Sequence, residues 1–157
     1  MVATAIGRKK CYFGAGYWHD ADKPAVGAII LNDEGRYIST LNAPLPSCSS
    51  PLMAEAFAGK EVLSWLWNHG ERSLDLFTYC LTLQQYLTSA TTPVRSYLGY
   101  AIDACRARII SFDYCSVVFI PRIDNFLVHT LASSAFTQSI AMYWDSVPPD
   151  SVSEHFE

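Results

Sequence analysis

The chain has 157 residues, which is enough for one domain with a sizeable buried core. Half of the residues are apolar and 17% are charged. No apolar run approaches the length of a membrane span, so we expect no membrane segment and assign the apolar excess to a core or an interface. The formal net charge of −4 excludes a global positive field that would draw the protein to phosphate backbones, although it leaves room for a local groove.

The chain contains five cysteines and four histidines. The cysteines include no C-x-x-C pair, and an odd number cannot pair completely within one chain, so we expect buried free thiols in a reducing compartment. The cysteines and histidines share no ligand spacing, and no zinc site is predicted. Because the N-terminus lacks an apolar signal core, we expect an intracellular protein of the nucleus or cytoplasm.

The N-terminal part of the chain predicts an antiparallel meander of three strands. Residues 9–18 are rich in aromatic side chains and form the first strand, and residues 25–31 form the second. The Asn-Asp-Glu-Gly sequence at 32–35 supplies hairpin turn chemistry, and residues 36–42 return as the third strand.

A helix and a further strand follow the meander. Apolar residues at helical spacing predict a first helix over residues 52–69, after a loop whose hydroxyl side chains can cap it. A short fourth strand is predicted at 74–78. It is reached and left through helices, so it should run parallel to the first strand.

The C-terminal half predicts three more helices and one more strand. The first two helices span residues 81–87 and 94–109, and the last runs from the turn at 121–125 to about residue 139. The strand, at 114–120, is continuously apolar, as expected of a strand covered on both faces.

The element order is therefore β-β-β-α-β-α-α-β-α, which places a five-stranded mixed sheet between helices in an α/β architecture. We divide the chain into an N-terminal extension (1–9), one domain (10–140) and a polar C-terminal tail (141–157).

Aromatic side chains suggest an interaction surface. Trp65 and Trp67 flank one residue of the first helix, so at least one ring should lie off its buried stripe. Tyr97 and Tyr100 are similarly spread around a later helix. Exposed rings here would mark a contact surface, whereas rings covered within the domain would be ordinary core.

Four local motifs, in this order and spacing, resemble the plant ribonuclease H-like family, whose members occur alone and inside retroelement polyproteins. The similarity covers roughly residues 10 to 150. The motifs are the hairpin GAIILNDEG at 27–35, AEAFA at 54–58, YCLTL at 79–83 and RIDNFLVHTLA at 122–132.

The resemblance implies a ribonuclease H-like fold and assigns the family's metal-binding carboxylates to the positions of Phe13, Glu55, Tyr79 and His129. Active members use two Mg²⁺ ions, which require several oxygen ligands. In this chain one carboxylate remains, so we expect a degenerate site without metal or other cofactor. Asp75 lies too far along its strand to replace Tyr79, and Asp20 and Asp22 fall in a loop.

Several candidate residues have structural alternatives. Glu55 could simply favour a helix N-terminus, where the dipole suits a carboxylate. His129 could shuttle a proton or be a polar surface residue. Asn125 or Asp124 could cap the last helix and Arg122 could pack beside it, although by the resemblance Arg122 and Asn125 border a nucleic-acid groove.

These observations predict a domain that works by binding rather than by catalysis. The first expectation is a protein partner or a second copy of the chain. The alternative is binding of an RNA/DNA hybrid or RNA without cleavage, and a working metal-dependent ribonuclease H is the third hypothesis. We expect no membrane association.

Overall fold

The computed structural model describes residues 7–17, 23–89 and 96–156. This part of the chain contains six strands and four α-helices in one α/β unit. In chain order these are β1 (Lys9–Gly16), β2 (Ala25–Leu31), β3 (Tyr37–Pro44), α1 (Pro51–Asn68), β4 (Ser73–Thr78), α2 (Leu81–Thr88), α3 (Tyr97–Ser111), β5 (Tyr114–Phe119), α4 (Phe126–Ser134) and β6 (Met142–Asp145). Short 3₁₀ turns lie at Arg122–Asn125 and Ser153–Phe156.

The strands form one mixed sheet in the order β5-β4-β1-β2-β3-β6. The predicted meander is confirmed, because β1 pairs antiparallel with β2 and β2 with β3. The predicted direction of β4 is also confirmed: it runs parallel to β1, with Lys9 beside Leu74. The short loops of the meander and the helical crossover to β4 dictate these directions.

The predicted number of five strands is wrong, because the described residues form six. The additional strand, β6, lies in the segment predicted as a tail and pairs antiparallel with β3, placing Trp144 beside Thr40. Four residues are too few to show a strand period in sequence, so only the free edge of β3 reveals this strand.

The two faces of the sheet carry different layers. Cys11 and Phe13 of β1 point into the main core beneath α1, which packs in turn against α3. The opposite face carries α4, which packs on β1, β2 and β3. Gly27 permits the close approach of α4, because a Cβ atom there would lie 2.5 Å from the Val128 carbonyl oxygen.

The prediction that β5 is covered on both faces is wrong. It is the edge strand next to β4, and its Tyr114, Val118 and Phe119 side chains are exposed. The apolar run had suggested an interior strand, but an apolar strand can equally lie at an edge whose outer faces are free.

The local signals at helix starts agree with the structure where it describes them. Ser50 caps α1, with its Oγ accepting a hydrogen bond from the Met53 N–H at 3.1 Å, and Pro51 is the first helical residue. Ser96 caps α3, which starts at Tyr97; residues 94 and 95 of the predicted helix lie outside the described residues. The final helix, α4, ends at Ser134 rather than near 139.

The cysteines and the helices can be compared with what the composition predicted. The five cysteines all lie within the described residues and form no disulfide; Cys11, Cys48 and Cys105 are buried, and Cys80 and Cys115 are partly buried. Among the described helices, none combines the length and the apolar character needed to cross a membrane.

Candidate functional site

A cleft opens at the C-terminal end of β1, where the other elements bring polar side chains together. Glu55 comes from α1, Tyr79 from the turn after β4, and His129 from α4. Arg122, from the 3₁₀ turn before α4, completes the polar lining of a cavity of about 260 Å³. Three of the four predicted site positions, Glu55, Tyr79 and His129, therefore lie together in this cleft.

The fourth position, Phe13, does not line the cleft. Its side chain is fully buried in the main core and faces Gly59 of α1. Ala15, two residues further along the same face of β1, lines the cleft instead. Strand alternation could have indicated Ala15 from the sequence, because residues i and i+2 share a face, but no motif singled it out.

Glu55 is held to β1 by a hydrogen bond between its side chain and the backbone. The Ala15 N–H donates to Glu55 Oε1 at 2.9 Å, and the carboxyl group is buried. The alternative that Glu55 serves the helix N-terminus is wrong. It is the fifth residue of α1, beyond a first turn that contains no acidic residue. Its partner is a strand, not the helix dipole.

Burial raises the pKa of Glu55 from its ordinary value of 4.5 to about 7. The Ala15 N–H, the Tyr79 hydroxyl and the positive charge of Arg122 act in the opposite direction, since each stabilises the carboxylate. Burial dominates. Near neutral pH the cleft therefore holds Glu55 as a mixture of carboxylic acid and carboxylate.

Tyr79 lines the cleft beside Glu55, at the end of β1. Its hydroxyl donates a hydrogen bond of 2.6 Å to the Ala15 carbonyl oxygen. The ring lies against Gly14, where an added Cβ atom would approach a ring carbon to 2.4 Å. Burial and the negative charge of Glu55 both raise the pKa of Tyr79, so the phenol stays protonated. Gly14 and Ala15 are thus the site residues that sequence reasoning missed.

Arg122 and His129 are the exposed cationic or ionisable side chains of the cleft. The Arg122 guanidinium lies 5.7 Å from the centre of the Tyr79 ring, within the range of a cation–π contact. Within the described residues Arg122 forms no salt bridge, although its charge acts on Glu55.

Asn125 ties the turn before α4 to β1. It is the N-cap residue of α4 by position, but its side chain makes no capping hydrogen bond, so the predicted capping role is wrong. Instead, Nδ2 donates to the Phe13 carbonyl oxygen at 3.1 Å. Oδ1 is buried without a hydrogen-bond partner. Asp124 lies in the preceding 3₁₀ turn and is exposed.

The donor set of the cleft does not fit a pair of Mg²⁺ ions. Such a pair needs several carboxylate or phosphate oxygens. Of the cleft residues that the structure describes, only Glu55 is a carboxylate, and one of its oxygens already accepts from Ala15. Arg122 adds a charge that repels cations.

Neighbouring acids do not supply the missing ligands within the described ranges. Asp75 is engaged elsewhere, with Arg8 at 3.3 Å and Ser116 at 2.6 Å. Asp20 and Asp22 lie outside the described residues. Across residues 7–17, 23–89 and 96–156, no group of three or more His, Cys, Asp or Glu side chains is arranged to hold a metal ion.

The aromatic interface candidates separate into buried and exposed rings. Trp65 cannot form an interface, because it is only 7% exposed and packs in the core, whereas Trp67 is 39% exposed. The Trp67 ring already carries the Arg72 guanidinium at 3.5 Å. Tyr97 and Tyr100 are largely exposed on α3.

Comparison with known families agrees with the fold. A family model described as reverse transcriptase-like matches residues 13–135. No curated protein sequence matches the chain.

Solved structures of similar fold include ribonucleases H. RNase H1 from Halobacterium salinarum NRC-1 is 21% identical, with a TM-score of 0.74, over 82% of this chain and 97% of that one. LC11-RNase H1, solved in complex with an RNA/DNA hybrid, is 14% identical, with a TM-score of 0.74, over 84% and 99% of the two chains. The N-terminal RNase H domain from Mycobacterium tuberculosis, solved as a fusion with maltose-binding protein, is 12% identical, with a TM-score of 0.73, over 83% and 94%. At these identities the likeness shows the fold alone.

Proposed function

The chain belongs to the reverse transcriptase-like family, and we propose that it serves as a ribonuclease H-like domain that binds a macromolecular partner without cleaving nucleic acid. Fold alone does not supply a function, which depends on the chemistry of the site.

One observation carries this proposal: the cleft places Tyr79 beside its single described carboxylate. Glu55 is fastened to the Ala15 N–H, and the Tyr79 hydroxyl is fastened to the Ala15 carbonyl. Both side chains therefore bond to the backbone of β1 at Ala15, and this supports a cleft that does not hold a pair of cations. A neutral phenol is a poor ligand for Mg²⁺, which favours charged oxygen atoms.

A protein partner is the first candidate for what the domain binds. The net charge of −4 gives no general attraction to phosphate, and large apolar side chains stand exposed on the surface. These include Tyr97 and Tyr100 on α3 and the outer residues of β5. Exposed aromatic side chains are typical of protein interfaces.

Nucleic-acid binding is the second candidate, because Arg122 and His129 stand exposed in the cleft. Protonation of Glu55 near neutral pH lowers the negative charge that would repel a phosphate. The ligand would be an RNA/DNA hybrid of the kind bound by the structural neighbour LC11-RNase H1.

Cleavage of a labelled RNA/DNA hybrid with Mg²⁺ or Mn²⁺ tests the loss of catalysis. We expect no metal-dependent cleavage by the wild-type chain, with a functional RNase H1 as the positive control. Cleavage that disappears in Glu55→Gln but persists in the matched variant Glu61→Gln, an exposed residue of the same helix, would overturn the proposal.

Hybrid binding at several salt concentrations separates the two partner classes. A protein-binding domain should show only weak, non-specific hybrid binding, with a Kd of about 10⁻⁴ M or weaker. If the cleft holds nucleic acid, Arg122→Ala should weaken binding and reduce the salt slope by about 1, whereas Arg36→Ala in the distant hairpin should not. That second pattern would replace the first candidate.

A further inference from the structure

A second cavity, of about 420 Å³, lies on the face of the sheet that carries α4 and shares no lining residue with the cleft. β1 and β2 form one wall, and the start of α4 with the 3₁₀ turn before it forms the other. Small-molecule sites are mostly apolar cavities of roughly 300–1,000 Å³ with a few polar groups. The apolar part of this lining consists of five aliphatic residues, Ile29, Leu31, Ile120, Leu127 and Val128.

The polar part of the lining carries hydrogen-bond acceptors and a negative charge. Asp124 is exposed and forms no salt bridge within the described residues. Asn125 is only 2% exposed; its Nδ2 donates to the Phe13 carbonyl, and its Oδ1 has no hydrogen-bond partner. None of the described residues that line the cavity is a lysine, arginine or histidine. The lining therefore suits a ligand that brings its own N–H donors and a positive charge.

Tyr12 joins the polar and apolar parts of the cavity. Its ring stacks on Phe77 with 4.7 Å between the ring centres, which holds the ring in the cavity wall. Burial, and after it the negative charge of Asp124, raises the pKa of Tyr12, so the carboxylate lies within electrostatic reach of the phenol. A tyrosine ring attracts an ammonium group as well as apolar carbon.

We propose that this cavity binds a small apolar amine in its protonated form. The ammonium group lies beside Asp124 and Tyr12, within reach of the Asn125 amide, and the hydrocarbon body lies among the aliphatic residues. An alcohol of the same shape keeps the apolar contacts but brings no charge to Asp124, and a carboxylate is repelled by it. This site is separate from the cleft, so the proposal does not depend on whether the domain cleaves nucleic acid.

Titration of the full chain with three probes of similar shape tests the ligand class. The probes are 2-phenylethylamine, which is a cation at neutral pH, neutral 2-phenylethanol and anionic 3-phenylpropionate. By isothermal titration calorimetry we expect the amine to bind with a Kd of about 1 mM, at least about tenfold tighter than the alcohol. The carboxylate should not bind.

Two substitutions with matched controls test the position of the ligand. Asp124→Asn should weaken binding of the amine about tenfold and leave the alcohol unchanged, whereas Asp113→Asn, at an exposed carboxylate before β5, should change neither. Ile120→Trp fills the cavity from a partly exposed position and should abolish binding of both probes. Ile140→Trp, at an exposed position outside the cavity, should leave binding intact.

Amide NMR shifts locate the amine without any substitution, so a variant that fails to fold does not leave the site untested. The largest shifts should fall on Ile29, Leu31, Leu127 and Val128. The absence of saturable amine binding up to about 10 mM overturns the proposal, as do shifts confined to other residues. Equal affinity for the amine and the alcohol, or amine binding that Asp124→Asn leaves unchanged, overturns the assignment of an ammonium ligand.

Discussion

Phe13 and Ala15 lie two residues apart on one face of β1, yet they belong to regions held together by different forces. Phe13 is enclosed in the apolar core beneath α1, where its ring faces Gly59. Ala15 lies in the cleft and offers its backbone N–H to Glu55 and its carbonyl to Tyr79.

One strand face is thus held in two ways. In the core, stability depends on packing and does not vary with pH. In the cleft, Glu55 and Tyr79 form hydrogen bonds to the strand backbone. A buried acid remains there, so stability depends on protonation. The following changes separate the two regions.

Truncation in the core should have the largest effect. Phe13→Ala removes a fully buried ring and leaves a cavity, so it should lower the free energy of unfolding by about 3–5 kcal/mol at every pH. Urea unfolding measures this loss. Phe126→Ala, at an exposed position, is the control and should cost far less. A pH-dependent loss in Phe13→Ala would remove the distinction between core and cleft.

The pH dependence of Glu55 should come next. Its folded pKa of about 7 exceeds the ordinary value of 4.5, so the folded state binds the proton more tightly than the unfolded state. Stability from this group is full at pH below 4.5 and falls as the pH rises towards and through 7. The total loss is about 3 to 4 kcal/mol at most, because the pKa rises from 4.5 to about 7 and each pKa unit corresponds to about 1.36 kcal/mol.

Glu55→Gln isolates this contribution, because glutamine keeps an acceptor for the Ala15 N–H but cannot ionise. The variant should become progressively more stable than the wild type between pH 5 and 8, as measured by urea unfolding at a series of pH values. A constant difference across that range would show that the Glu55 pKa is not raised in the folded state.

Steric crowding in the cleft should give an intermediate effect. Gly14→Ala places a Cβ atom 2.4 Å from a carbon of the Tyr79 ring, which is too close for two unbonded carbons. The substitution should therefore destabilise the fold by about 1–3 kcal/mol. Combined with Tyr79→Ala, the Gly14→Ala substitution should cost much less, because the clashing ring is gone. Additive costs in this double-mutant cycle would contradict the described position of the ring.

Loss of one hydroxyl should have the smallest effect. Tyr79→Phe leaves the Ala15 carbonyl without its side-chain donor and should cost about 0.5–1.5 kcal/mol. Tyr143→Phe, on the exposed surface of β6, is the matched control and should be nearly neutral. Equal losses in the two variants would argue against a structural hydrogen bond in the cleft.

Much of the fold could be predicted from patterns that are local in sequence. The hairpin turn at 32–35 and short loops fixed the meander, and Ser50 with Pro51 marked the start of α1. The strands at the sheet edges were harder. The sixth strand has only four residues, and the apolar character of β5 indicates a strand without saying which neighbours it has.

The candidate site was also predictable only in part from local sequence patterns. Motif order predicted that Glu55, Tyr79 and His129 would converge, and they line one cleft. The motif also assigned Phe13 to the site, but Ala15 lines the cleft instead. The two residues share a face of β1, and only the tertiary structure shows where along that face the core ends and the cleft begins.

Residue identity and order along the chain were enough to predict the family and the mixed sheet, and they place Phe13 and Tyr79 where the resemblance assigns carboxylates. Only the tertiary structure decided that Glu55 bonds to β1 instead of its own helix, that the Tyr79 hydroxyl bonds to the Ala15 carbonyl, and that β5 lies at the edge of the sheet. These features depend on burial and on pairing between distant segments. Neither is encoded in a local pattern, since the same glutamate or apolar strand suits several environments.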